Sequence, residues 1–97
     1  MKHLKLIISR QAIEDLINIW SHIALDNPDA ADAFTDKLYT SCKNLTVMPE
    51  MGRPRGELLP GLRSLTHKGY IIFYRSGNQK IEIIRILNGC MDVDSIF

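Results

Sequence analysis

Ninety-seven residues, 45% hydrophobic and 24% charged, describe one ordinary globular domain spanning 1–97 and able to bury its own core. Twelve cations against eleven anions leave a net charge of +1, which excludes a general basic grip on nucleic acid, so any basic site must be local. Two cysteines make neither a disulfide framework nor a metal spacing, and no apolar run nears the ~20 residues that span a bilayer.

Met1-Lys2-His3 opens the chain without an apolar signal region, so a cytoplasmic location is expected. Leu4 to Ile8 is short, apolar and bounded by Ser9, which predicts a first strand with Ser9 as the cap of a following helix. Ile13, Leu16, Ile17, Trp20, Ile23 and Ala24 recur at helical spacing, with Glu14, Asp15 and Asn18 on the wet side. Asn27-Pro28 starts a second helix, because Asn caps well and Pro suits the first helical position. Ala31, Phe34, Leu38, Cys42 and Leu45 mark its buried stripe, which ends before Pro49. So short a link predicts an antiparallel helical hairpin.

Residues 48–63 form a long connection with three prolines, three glycines and Arg53, Arg55 and Arg63, a length that a compact domain seldom carries without a use. Three strands are expected after it: Leu62 to His67, Tyr70 to Arg75, and Lys80 to Leu87. Lys68-Gly69 and Ser76-Gly77-Asn78 supply the turns, with residues that tolerate positive φ. The expected fold class is α+β, in the order β-α-α-β-β-β, with the helical hairpin packed on a small antiparallel sheet. In the last strand simple alternation sends Ile81, Ile83 and Leu87 one way and Ile84 and Ile86 the other. Both sheet faces are therefore apolar, and the hairpin covers one. The other needs Val93 to Phe97, a partner, or some of each.

The cations Arg53, Arg55, Arg63, Arg75 and Arg85 are the cluster to weigh as a site. Strand pairing could bring Arg63 and Arg85 together beneath the loop, where convergent guanidiniums suit phosphate or carboxylate recognition. The structural alternative is that they pair with Glu57, Glu82 or Asp92. His3, His22 and His67 read as surface residues, and none stands at a metal-ligand spacing. Cys42 and Trp20 read as core and Cys90 as partly exposed. These residues point to binding without a metal or cofactor.

Taken in order, several groups of residues resemble the RelE/ParE superfamily of bacterial toxins, ParE-like branch. They are Ala12 to Leu16, Ile19-Trp20, Asn27-Pro28, Met51-Gly52-Arg53, Leu59 to Arg63, Phe73-Tyr74-Arg75, Arg85-Ile86-Leu87 and Met91-Asp92. The resemblance implies a toxin of a type II toxin–antitoxin module, held inactive by a cognate ParD-like antitoxin. That antitoxin would bind operator DNA, which the toxin would meet only indirectly, and would wrap the toxin's apolar surface. Tyr70, Ile72, Phe73, Tyr74, Ile84, Ile86 and Trp20 are the candidates for that contact. ParE-like members poison DNA gyrase, whose A-type subunit is the expected contact. Arg53, Arg55, Arg63, Arg85, Met91 and Asp92 are the target-binding candidates. RelE-like members instead cleave messenger RNA on the ribosome, which would give Arg63 and Arg85 catalytic roles. Relatives often have His in place of Asn88 and Arg in place of Cys90, and no Tyr or His follows Arg85 here. Those departures favour gyrase, and leave a degenerate toxin that only binds antitoxin as a third outcome.

Overall fold

The structure, a computed structural model, describes residues 4–97, so His3 lies outside the described residues. Its elements are β1 (Lys5–Ile8), α1 (Arg10–Ala24), α2 (Pro28–Asn44), β2 (Arg53–Pro54), β3 (Leu62–His67), β4 (Tyr70–Gly77), β5 (Lys80–Asn88) and α3 (Val93–Ile96). They build the expected α+β layout. The strands form one sheet in the order β1-β5-β4-β3-β2. β2 through β5 run antiparallel to their neighbours, whereas β1 pairs parallel with β5, so the sheet is mixed.

Local chemistry accounts for the boundaries. Ser9 Oγ accepts from the Ala12 amide at 3.1 Å, and Asn27 Oδ1 accepts from Ala30 at 3.1 Å, with Pro28 opening α2. Lys68 and Gly69 take φ of 44° and 87°, as a two-residue hairpin with the sheet's twist requires. The next turn falls later than expected. Gly77 belongs to β4, and Gln79, at φ 57°, makes the reversal.

The helices cover one face of the sheet, where Ala12, Ile19, Leu38, Cys42, Leu45, Ile72, Tyr74, Ile81, Ile83 and Ile86 form the main core. Burial there pushes the Cys42 thiol up to about 12, so it stays protonated at neutral pH. Leu62, Phe73 and Leu87 make a second cluster on the far face, roofed by Leu58, Leu59, Val93, Ile96 and Phe97. The C-terminal segment thus covers the second face, as one of the two expected solutions.

The register corrects the simple alternation in β5. Tyr74 pairs with Ile83, but Phe73 pairs with Arg85, which leaves Ile84 as an extra residue. Beyond that bulge the parity flips. Ile86 joins Ile81 and Ile83 in the main core, and Leu87 joins Ile84 on the far face.

Candidate functional site

β1 ends at Ile8 while β5 continues to Asn88, so among the described residues the flank of β5 beyond Ile83 lacks a strand partner. The start of α1 supplies the missing hydrogen bonds. Ser9 donates its amide to Ile83 O at 2.9 Å and its hydroxyl to Ile84 O at 2.8 Å. Asp15 accepts the Ile86 amide at 3.0 Å and a two-pronged contact from Arg85, Nε at 2.8 Å and Nη2 at 3.0 Å. That contact, followed by burial and then the nearby charge, is what moves the Arg85 guanidinium's pKa, and the bond to Asp15 wins by raising it. The partner of Arg85 is therefore Asp15, not Glu57, Glu82 or Asp92. Asp15, expected on the wet side of α1, faces the sheet instead. The sequence does carry a signal: Ala12, Asp15, Leu16 and Ile19 share one face, which leaves an acid on the core stripe in need of a cation.

Arg63 lies elsewhere. It pairs with Tyr74 on β4, and β4 separates β3 from β5, so Arg63 and Arg85 do not converge. Its Nη1 donates to Gly52 O at 2.7 Å and also reaches Glu50 O at 3.5 Å. Tyr74 anchors the same loop: its hydroxyl donates to Pro49 O and accepts from the Gly52 amide, both at 2.8 Å. A Cβ on Gly52 would sit 2.6 Å from the Tyr74 hydroxyl oxygen, so only glycine lets the loop approach this closely. The long connection is pinned to the sheet at its first half.

Arg55 works on the other face. It meets Glu57 at 2.8 Å, and its guanidinium stands 5.8 Å from the centre of the Phe73 ring. Phe97 packs on that ring as well, at 4.9 Å. The bond from Arg55 leads the causes that lower the Glu57 carboxyl below its ordinary range. Arg53 is exposed on β2, while Met91 and Asp92 are exposed beyond the opposite end of β5. A shallow cavity of about 420 Å³ lies along the open flank of β5, lined by Asp15, His22, Tyr70, Arg85 and Met91 among others.

The antitoxin candidates divide sharply. Ile72, Phe73, Tyr74 and Ile86 are core side chains and offer no surface, whereas Tyr70 and Ile84 are half-buried. Trp20, expected in the core, is 39% exposed, and its Nε1 donates to Asp32 Oδ1 at 2.7 Å. The helical stripe read from the sequence merges two faces of α1: Leu16 and Ile23 turn inward, while Ile13 and Ile17 join Trp20 outside. His67 is not a surface residue either. It tucks under α2, with Nδ1 3.3 Å from Ser41 Oγ and its ring 5.9 Å from that of Phe34. His22 and Cys90 are exposed as expected. Among the described residues, no three His, Cys, Asp or Glu side chains gather as a metal site, and no helix is long and apolar enough to cross a membrane.

Comparison with known proteins places these features among relatives. The family described as "ParE toxin of type II toxin-antitoxin system, parDE" matches residues 6–93. Toxin ParE3 of Caulobacter vibrioides is 29% identical over 90 residues, covering 92% of this chain and 90% of that protein. Toxin ParE1 of Mycobacterium tuberculosis is 33% identical over 67 residues, 68% of each. A solved structure described as the chromosomal ParDE TA system from P. aeruginosa superposes with a TM-score of 0.77 at 27% identity. It covers 89% of this chain and 96% of its own.

Proposed function

The chain belongs to the ParE toxins of parDE type II toxin–antitoxin systems, and from that footing we propose that it inhibits DNA gyrase, and so replication, in the cytoplasm. A cognate ParD-like antitoxin neutralises it. The observation that carries the choice of gyrase over messenger RNA is the placement of Arg63 and Arg85. A phosphodiester-cleaving site needs cations free to meet charge developing on the phosphate. Arg85 is instead bound on two prongs to Asp15, and Arg63 holds the Gly52 carbonyl from a different part of the sheet. Arg53, Met91 and Asp92 are the target-binding candidates left exposed. For the antitoxin, Trp20 is the one candidate of the expected set with an exposed side chain.

The test is plasmid supercoiling by purified gyrase, with and without this chain freed from its antitoxin. Inhibition accompanied by trapped linear DNA is the expected result. Uninhibited gyrase, together with ribosome-dependent cleavage of messenger RNA, would replace this reading with the nuclease one.

A further inference from the structure

The outer face of the helical hairpin has two unlike ends. Trp20 Nε1 donates to Asp32 Oδ1 at 2.7 Å, which sets the level of α1 against α2. The helices run antiparallel, so equal steps away from that bond bring Ile13 beside Tyr39 and Arg10 beside Lys43. Steps of three and four keep Asp32, Asp36, Tyr39 and Lys43 in one outward row of α2, all exposed. In that row Lys43 Nζ stands 5.2 Å from the centre of the Tyr39 ring. Ile13 and Ile17, 47% and 57% exposed, line the same face from α1. The face therefore grades from acid at the inter-helix turn, where Asp26 and Asp29 are also exposed, to base at its open end.

Such a face complements itself when a second copy is laid on it end for end. A two-fold axis in the contact plane, crossing the helices, sets α1 on α1 and α2 on α2, each pair antiparallel. One axis position serves both pairs. Placed between Ile13 and Ile17, it faces each isoleucine with the other in the second copy and brings Arg10 to the Trp20 indole. The same axis crosses α2 between Asp36 and Tyr39. Lys43 then lies opposite Asp32, and the Tyr39 hydroxyl opposite the Asp36 carboxylate. Acid meets base at both ends, with the isoleucines in the middle. An axis along the helices would instead bring acid to acid and base to base, which opposes association. Size sets the strength. Two helices about 22 Å long and about 9 Å apart give each copy a footprint of roughly 400 Å². The total stays below the roughly 1,200 Å² of a durable complex, so the pairing is weak and depends on concentration.

We propose that the free chain forms a weak two-fold dimer through the outer face of α1 and α2, with Asp32 against Lys43 and Ile13 against Ile17 of the second copy. The inference stands on the geometry and charge of this face and is independent of the gyrase reading. The dimer hides Trp20, so any partner that reaches that residue competes with self-association. Sedimentation equilibrium of the purified chain, from micromolar to millimolar, is the test. The average mass should climb from monomer to dimer, stop there, and fall back on addition of salt. Lys43→Asp and Asp32→Lys should each weaken association at least about ten-fold, because each sets like charges together in its own dimer. Mixing the two variants should restore it, since every acid then faces a base on the other copy. Circular dichroism should stay native, both positions being exposed. If loss of the Trp20 bond disturbs Asp32→Lys, Ile17→Glu decides instead and should weaken the dimer at least as much. A parent that stays monomeric at millimolar concentration, association that runs past the dimer, or variants that associate like the parent overturn the proposal. A mixture that associates no better than its two components overturns it as well.

Discussion

The two faces of the sheet are closed by different means. On the helix side, α1 and α2 lay fifteen and seventeen residues over the strands and leave Leu38, Cys42, Leu45, Ile72, Ile81 and Ile83 without exposed surface. On the far side, Leu62, Phe73 and Leu87 lie under loop leucines, a four-residue helix and the Phe97 that follows it. The helix-side cover is capped at both N-termini and tied into the sheet through Ser9 and Asp15. The C-terminal cover is held differently: Asp92 makes no capping bond to α3, and the segment's hold on the sheet is side-chain packing. A cover built from packing alone opens locally at lower cost than one that shares the sheet's hydrogen bonds. The comparison leads to the expectation that the helix side carries most of the stability and that the C-terminal cover is the part that opens first.

Substitution on the helix side is the most direct attack on that contrast. Leu38→Ala removes a side chain with no exposed surface and should cost about 2–5 kcal/mol. A small domain holds only about 5–15 kcal/mol in total, so the midpoint of urea unfolding should fall steeply. A shift no larger than that of an exposed control such as Leu25→Ala would mean that the main core tolerates a void, and the contrast would be lost.

The tie between α1 and β5 comes next in size. Asp15→Ala leaves Arg85 without its carboxylate and the Ile86 amide without an acceptor, at a cost of about 3 kcal/mol. Asp15→Asn retains an oxygen for the Ile86 amide and should recover part of it. If both variants unfold like the parent, the ion pair is incidental, and the open flank of β5 needs no support from α1.

That tie also shows what can be read from the chain and what cannot. The caps at Ser9 and Asn27, the hairpin at Lys68-Gly69 and the order of elements are legible, because each depends on residues within a few positions of one another. Covering of the far face is legible too, since apolar residues on both sides of β4 demand it. The partner of Arg85 is only half legible: an acid on the core stripe of α1 asks for a cation, but which cation depends on a residue seventy positions away and on the bulge at Ile84, which decides which way the later residues of β5 face. Alternation alone cannot announce a bulge. Trp20 escapes sequence reasoning for a related cause: adjacent seams on one helix merge into a single wide stripe until it is known where the sheet lies.

The smallest of these effects is the most diagnostic. Phe97 is half-buried and packs at a tilt on Phe73, over whose ring the Arg55 guanidinium also lies. Phe97→Ala should therefore cost only about 1 kcal/mol, the value of one aromatic pair with part of a side chain's burial. Its consequence should be local. Amide exchange should quicken at Phe97, whose N–H donates to Val93 O, while amides in α2 around Leu38 keep the protection of the parent. A loss as large as that of Leu38→Ala, with exchange quickened throughout, would make the two faces one cooperative core. A small loss confined to the C-terminus would leave Leu62, Phe73 and Leu87 as the apolar surface that this protein can uncover without unfolding.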